Sequence, residues 1–149
     1  MQFSTKARYA LRALVELSLH YGQGPYMLKE IARRQNISDK YLEQLMAPLR
    51  NRDIVQTLRG NRGGYMLSRS PEKITALEAV QAVEGSLAPV PCVDKEEICK
   101  RSEICATREL WCKLNENMVE VLSNTTLEDL AQRQREKQQN SGGYPHYVI

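Results

Sequence analysis

Long apolar runs are missing from this 149-residue chain. No segment approaches the roughly 20 apolar residues of a membrane span, and Met1-Gln2-Phe3-Ser4-Thr5-Lys6 lacks the apolar stretch of a signal peptide. The expected location is therefore cytoplasmic. Aromatic residues are few beyond tyrosine, with one Phe and one Trp beside seven Tyr. No internal repeat is evident. No nucleophile and base pair, phosphate-binding loop or cofactor fingerprint stands out, which makes an enzyme or electron carrier the weakest functional class. None of the four cysteines forms a Cys-x-x-Cys pair, so structural zinc is disfavoured. In a reducing compartment they read as thiols or metal ligands rather than disulfides. The length suffices for one domain plus an added helix, with a core that needs no cross-links.

What is present is concentrated in residues 28–67. Leu28, Ile31 and Ala32 give one short helix, and Tyr41, Leu42, Leu45 and Leu49 give a second at the same helical spacing. Gln35-Asn36-Ile37-Ser38 forms the turn between them, with Ser38 placed to cap the second helix. Ile54-Val55-Gln56-Thr57-Leu58 reads as a strand, Arg59-Gly60-Asn61-Arg62-Gly63-Gly64 as a turn, and Tyr65-Met66-Leu67 as the returning strand. This order is that of a winged helix-turn-helix. Pro48 lies inside the second helix, where it deletes one backbone hydrogen bond and favours a kink.

Charge is unevenly shared. Residues 1–67 carry 11 basic and 5 acidic side chains, net +6, whereas residues 68–149 carry 10 and 13, net −3. A positive half supplies the sequence-independent attraction to phosphates that nucleic-acid binding requires. On the second helix, Gln44 suits adenine and Glu43 can accept from the exocyclic amine of cytosine. Ser38 and Lys40 suit the phosphate backbone, and Arg59 and Arg62 suit a narrow minor groove.

Thr5 to Tyr21 makes an amphipathic helix with Tyr9, Leu11, Leu14, Val15, Leu17 and Leu19 apolar. Thr75 and Glu78 form a capping-box pattern ahead of a short helix ending near Glu84. The expected architecture is mainly α, with a winged helix-turn-helix domain over residues 1–84 bearing a small β-hairpin wing. Residues 85–105 read as an irregular loop holding Cys92 and Cys99, with Cys105 at its edge. Three thiols with six and five residues between them suit soft metals or an iron-sulfur cluster. Cys112 reads as core or interface. Residues 106–133 supply a long helix and a short C-terminal helix. The stripe Leu110, Trp111, Leu114, Met118, Val121 and Leu122 suits packing against a two-fold partner. Residues 134–149, polar and then glycine-rich, are expected to be disordered.

Tyr41-Leu42-Glu43-Gln44-Leu45, Leu58-Arg59-Gly60 leading to Gly63-Gly64-Tyr65-Met66-Leu67, the three spaced cysteines before a Trp-bearing helix, and Ser4-Thr5-Lys6-Ala7-Arg8-Tyr9-Ala10-Leu11 together resemble the iron-sulfur cluster regulator (IscR) family. The similarity extends to about Ala131. It implies a homodimeric winged-helix transcription regulator, repressors among them, that binds double-stranded DNA. It further implies a cluster, [2Fe-2S] or [4Fe-4S], on Cys92, Cys99 and Cys105, and a second helix seated in the major groove. Thr5, Ser38, Lys40, Tyr41, Glu43, Gln44, Arg59, Gly60 and Arg62 are then the candidate DNA-binding residues. Leu110, Trp111, Leu114, Met118 and Val121 are the candidate dimer interface. Arg108 stands where the cluster regulators place a histidine, and Arg8 where nitric-oxide-sensing relatives place an aspartate, so the fourth ligand is unassigned. A redox thiol switch or a zinc-bearing regulator without a cluster is the alternative.

Overall fold

In the computed structural model, residues 2–142 are described. Among them, seven helices and one hairpin follow in the order α1 (Thr5–Leu19), α2 (Leu28–Gln35), α3 (Asp39–Asn51), β1 (Val55–Leu58), β2 (Gly64–Leu67), α4 (Ala76–Glu84), α5 (Pro91–Asp94), α6 (Ala106–Ser123) and α7 (Leu127–Asn140). The expected mainly helical fold with a β-hairpin wing is the one observed.

The first helix sits at the centre. Its start is fixed twice: the Ser4 hydroxyl accepts from the Ala7 amide at 3.3 Å, and the Ser4 amide donates to Glu84 Oε1 at 2.7 Å. The buried face consists of Ala7, Ala10, Ala13, Leu14, Leu17 and Ser18. Tyr9, Leu11, Val15 and Leu19, which the apolar pattern also placed on the core side, are only half-buried. α4 and α7 both pack on α1, a close approach that small side chains allow, while Leu11 and Val15 border an open cleft.

α2 ends with Asn36 in the left-handed region (φ 55°), a conformation that Asn tolerates better than most residues. The chain turns there, and the Ile37 amide donates back to the Ala32 carbonyl at 3.0 Å. Ser38 caps α3 as expected, accepting from the Tyr41 amide at 3.1 Å. α3 continues through Pro48 to Asn51 and buries Leu42, Leu45, Met46 and Leu49. These pack with Ile31, Ile54, Val55 and Leu67 in one core.

The antiparallel hairpin pairs Val55 with Leu67 and Leu58 with Gly64. Tyr26 adds an isolated bridge to Tyr65, with amide-to-carbonyl bonds of 2.8 and 2.9 Å in the two directions. This anchors the wing to the segment before α2. A Cβ on Gly64 would collide with the Tyr26 backbone carbonyl, so glycine is required there.

A complete capping box starts α4: the Glu78 amide donates to Thr75 Oγ1 at 3.2 Å and the Thr75 amide to Glu78 Oε2 at 2.9 Å. The C-terminal helix is stitched to the same place, since the Leu127 amide donates to the Ile74 carbonyl at 2.9 Å and the Ala76 amide to the Thr125 carbonyl at 2.8 Å. Leu127 and Ala131 are then fully buried.

Two expectations need correction. Residues 85–105 are not irregular: besides α5 they contain helical turns at Glu96–Ile98 and Ser102–Ile104. The buried Ser102 hydroxyl holds them by donating to the Glu96 and Cys99 carbonyls at 2.7 and 2.8 Å. The second concerns the C-terminus, where α7 runs to Asn140 instead of ending near Arg133. Arg135 pairs with Glu128 at 2.9 Å and Gln132 bonds Glu136 one turn on at 3.2 Å, so polar neighbours along the helix sustain it without a core. The rest of the expected disordered tail, residues 143–149, lies outside the described residues.

Candidate nucleic-acid interface and cysteine loop

Capping and packing aim α3 outward. With Leu42, Leu45, Met46 and Leu49 buried, the opposite face leaves Lys40, Glu43 and Gln44 exposed beside the exposed cap Ser38. Tyr41 is half-buried, its ring edge-on to Tyr9 at 6.1 Å between centroids. That contact sets the N-terminal part of α1 against the start of α3 and puts the exposed Thr5 one turn before Tyr9. Lys40, Glu43, Gln44, Ala47, Arg50 and Tyr65 line one shallow concavity. Burial pushes the Tyr65 phenol up, Arg50 works against that and Glu43 adds to it. Sequence reasoning missed Arg50. Its signal is spacing, because 40, 43, 44, 47 and 50 follow one helical face.

The wing tip carries Arg59, Gly60 and Arg62, all exposed. Gly60 adopts φ 117°, and its carbonyl accepts from the Gly63 amide at 3.0 Å to close the turn. Among the described residues, no ion pair engages Lys40, Arg50, Arg59 or Arg62. The back of the helix-turn-helix differs. Arg33 and Arg34 both bond Glu30, at 2.5 and 3.2 Å, and these bonds hold the Glu30 carboxyl down to about 2. Arg33 and Arg34 are thus neutralised on α2, whereas among the described residues the cations of α3 and the wing are not.

The cysteines are all free thiols. Cys92 lies half-buried on α5, and Cys99 is exposed at the end of the first helical turn after it. Cys105 is the residue preceding α6. Its Sγ lies 3.2 Å from Thr107 Oγ1, and this bond together with the Arg108 amide lowers the thiol pKa. Cys112 is half-buried on α6. Arg108 is occupied within the loop, its Nε donating to the Cys92 carbonyl at 3.0 Å and its Nη1 lying 3.7 Å from Glu96. Among the described residues, no three side chains of His, Cys, Asp or Glu are gathered to hold a metal ion. The thiols share one segment but not one centre.

α6 has no buried residue along its 18 positions. Leu110, Leu114 and Val121 are 55, 42 and 66% exposed, while Trp111 and Met118 are half-buried. The stripe expected to face a partner is therefore left open by its own subunit. No helix of the described residues is long and apolar enough to cross a membrane.

A family model described as "Rrf2: Iron-dependent Transcriptional regulator" matches residues 3–133. The HTH-type transcriptional regulator CymR of Bacillus subtilis (strain 168) is 45% identical over 131 residues, spanning 88% of this chain and 90% of that protein. Its solved structure, described as that of the global cysteine regulator, superposes with a TM-score of 0.76 over 89% of this chain and 98% of that one, at 44% identity. The HTH-type transcriptional regulator IscR of Sodalis glossinidius (strain morsitans) is 40% identical over 130 residues, covering 87% of this chain and 78% of that protein. A solved T. potens IscR gives a TM-score of 0.76 at 36% identity, covering 93 and 91% of the two chains.

Proposed function

From its membership of the Rrf2 family of transcriptional regulators, which makes this chain a DNA-binding regulator and not an enzyme, we propose that a homodimer reads its operator with α3 and the wing. Its affinity would be set by chemistry at Cys92, Cys99 and Cys105. The observation that carries the DNA-reading assignment is the pairing of a capped α3, whose Lys40, Glu43 and Gln44 are exposed, with wing arginines that no acid among the described residues neutralises. Gln44 and Glu43 supply base contacts, and Lys40, Arg59 and Arg62 supply phosphate or minor-groove contacts. The open stripe on α6 supports the dimer, since a two-fold partner helix would cover Leu110, Leu114 and Val121.

Donor chemistry supports an iron-sulfur cluster, [2Fe-2S] or [4Fe-4S], on the three loop cysteines. All three are free, none is buried, and the segment that holds them makes its own hydrogen bonds. When bound, such a cluster supplies a redox- and iron-sensitive group. This chain's part is to present the three thiolates and to hold the loop against α6 through Arg108. Arg108 offers no ligand itself, since a guanidinium carries donors and no acceptor.

A second reading, a thiol-based regulator with no cluster, is favoured by two observations. Among the described residues the thiols are not gathered around a centre, and the similar CymR structure is described as that of a global cysteine regulator. Anaerobic purification decides between them. Visible absorption bands with acid-labile sulfide are expected for the cluster, abolished in Cys92→Ala, Cys99→Ala and Cys105→Ala but kept in Cys112→Ala. A colourless protein whose operator affinity follows thiol oxidation would establish the second reading.

A further inference from the structure

One wall of the concavity on α3 comes from outside the helix. It is Tyr65 of β2, which is only 9% exposed. The Tyr65 backbone is held on both edges: Thr57 pairs with it across the hairpin, and Tyr26 exchanges amide-to-carbonyl bonds of 2.8 and 2.9 Å with it on the other side. Ala47 lies between Glu43 and Arg50 on one helical face, and its methyl group is too short to cover the phenol. The Tyr65 hydroxyl makes no hydrogen bond to another described residue, and unlike the enclosed, unpartnered hydroxyls of Tyr26 and Ser68 it is open to solvent. Burial pushes the phenol up by more than Arg50 pulls it down, and Glu43 adds to the rise. The hydroxyl therefore keeps its proton and remains a donor.

We infer that the Tyr65 hydroxyl is a further DNA contact, donating to a backbone phosphate that Arg50 neutralises at the C-terminal end of α3. An exposed guanidinium with no ion pair among the described residues supplies attraction there, and a neutral donor beside it supplies direction, the role that tyrosine plays on phosphate oxygens. Lys40 and Arg50 are ten residues apart, about 15 Å along a helix, against a major groove about 12 Å wide. The two cations can thus reach opposite walls of the groove while Glu43 and Gln44 lie over the bases between them. Because β1 and Tyr26 already fix the Tyr65 backbone, little freedom is lost when the contact forms.

This inference rests on the reading of α3 as the DNA-facing helix, and its test separates the two. The probe is a duplex selected by the full chain from a random pool, titrated beside a scrambled duplex by fluorescence anisotropy at several salt concentrations. Tyr65→Phe keeps the ring and should melt like the parent chain. It should weaken both duplexes about tenfold, because hydrogen bonds to charged groups are worth at least that, yet leave the slope of log affinity against log salt unchanged, since no cation is lost. Arg50→Ala should weaken both and lower that slope by roughly 0.9. Replacing phosphates one at a time by uncharged methylphosphonates should find one position whose cost to the parent chain is reduced in both variants. Parent-like binding in Tyr65→Phe, with Arg50→Ala weakened, would overturn the tyrosine contact and leave α3 in place. A loss of sequence preference alone in Tyr65→Phe would overturn it too, since the phenol would then be a support for Glu43. Parent-like binding of both duplexes by Arg50→Ala and by Glu43→Ala would take α3 out of the interface, and the inference with it.

Discussion

In the proposed DNA surface, Glu43 and Arg59 act by opposite means. Glu43 is an exposed acid on a face otherwise bearing Lys40 and Arg50, where it would repel phosphate unless it accepts from a base. Glu43→Ala should therefore relax sequence preference while preserving or raising binding to scrambled duplexes. Arg50→Ala and Arg59→Ala should instead weaken binding on every sequence and flatten its salt dependence. Titrations on cognate and scrambled DNA at several salt concentrations check all three, and a uniform loss in Glu43→Ala would remove it from base reading. Most of this face is legible in the sequence because helical spacing and a capping serine are local signals. Arg50 follows the same spacing and is overlooked all the same; what spacing does not show is that β2 brings Tyr65 beside it. The pairing of Arg34 with Glu30 is a local four-residue signal, whereas its approach to Glu16 on another helix is not legible in the sequence.

At the scale of elements, those defined by caps and breaks follow closely from local sequence, including the α4 capping box and the full length of α6. Thr75→Ala should cost about 1 kcal/mol in chemical denaturation, because it removes a cap with both reciprocal bonds formed. Gly64→Ala should cost more, roughly 1–3 kcal/mol, as the wing must shift from Tyr26. The elements that local sequence misses are those whose stability comes from elsewhere. α7 has the pattern of a short helix and a tail because residues 132–139 lack an apolar stripe, whereas its start is locked to Ile74 and Ala76 by backbone bonds of Leu127 and Thr125 that no periodicity encodes. The cysteine loop lacks an apolar pattern for the same reason, its order resting on Ser102 and Arg108. α6 is the reverse case, with a clear stripe and no core to receive it. Leu114→Glu with Met118→Glu should leave the subunit folded, since neither residue is buried, but reduce a dimer to monomers by light scattering. An unchanged mass would mean that α6 does not form the seam.

Across the whole molecule, net charge of +6 before residue 68 and −3 after it separates the proposed DNA surface from the part that carries the loop and α6. Long-range attraction of a +3 protein to a polyanion would depend only on the total. Short-range binding depends on which cations touch phosphate, because each such cation releases counterions locally. Two triple variants remove the same charge. Replacing Lys40, Arg59 and Arg62 by alanine clears the proposed interface, while replacing Lys95, Lys100 and Arg101 clears exposed cations of the cysteine loop. The first should lower the slope of log affinity against log salt by roughly 0.9 for each phosphate no longer neutralised and weaken operator binding steeply. The second should leave the slope close to that of the parent chain. Equal slopes in the two variants would show that binding follows total charge, and the assignment of α3 and the wing as the DNA surface would fall.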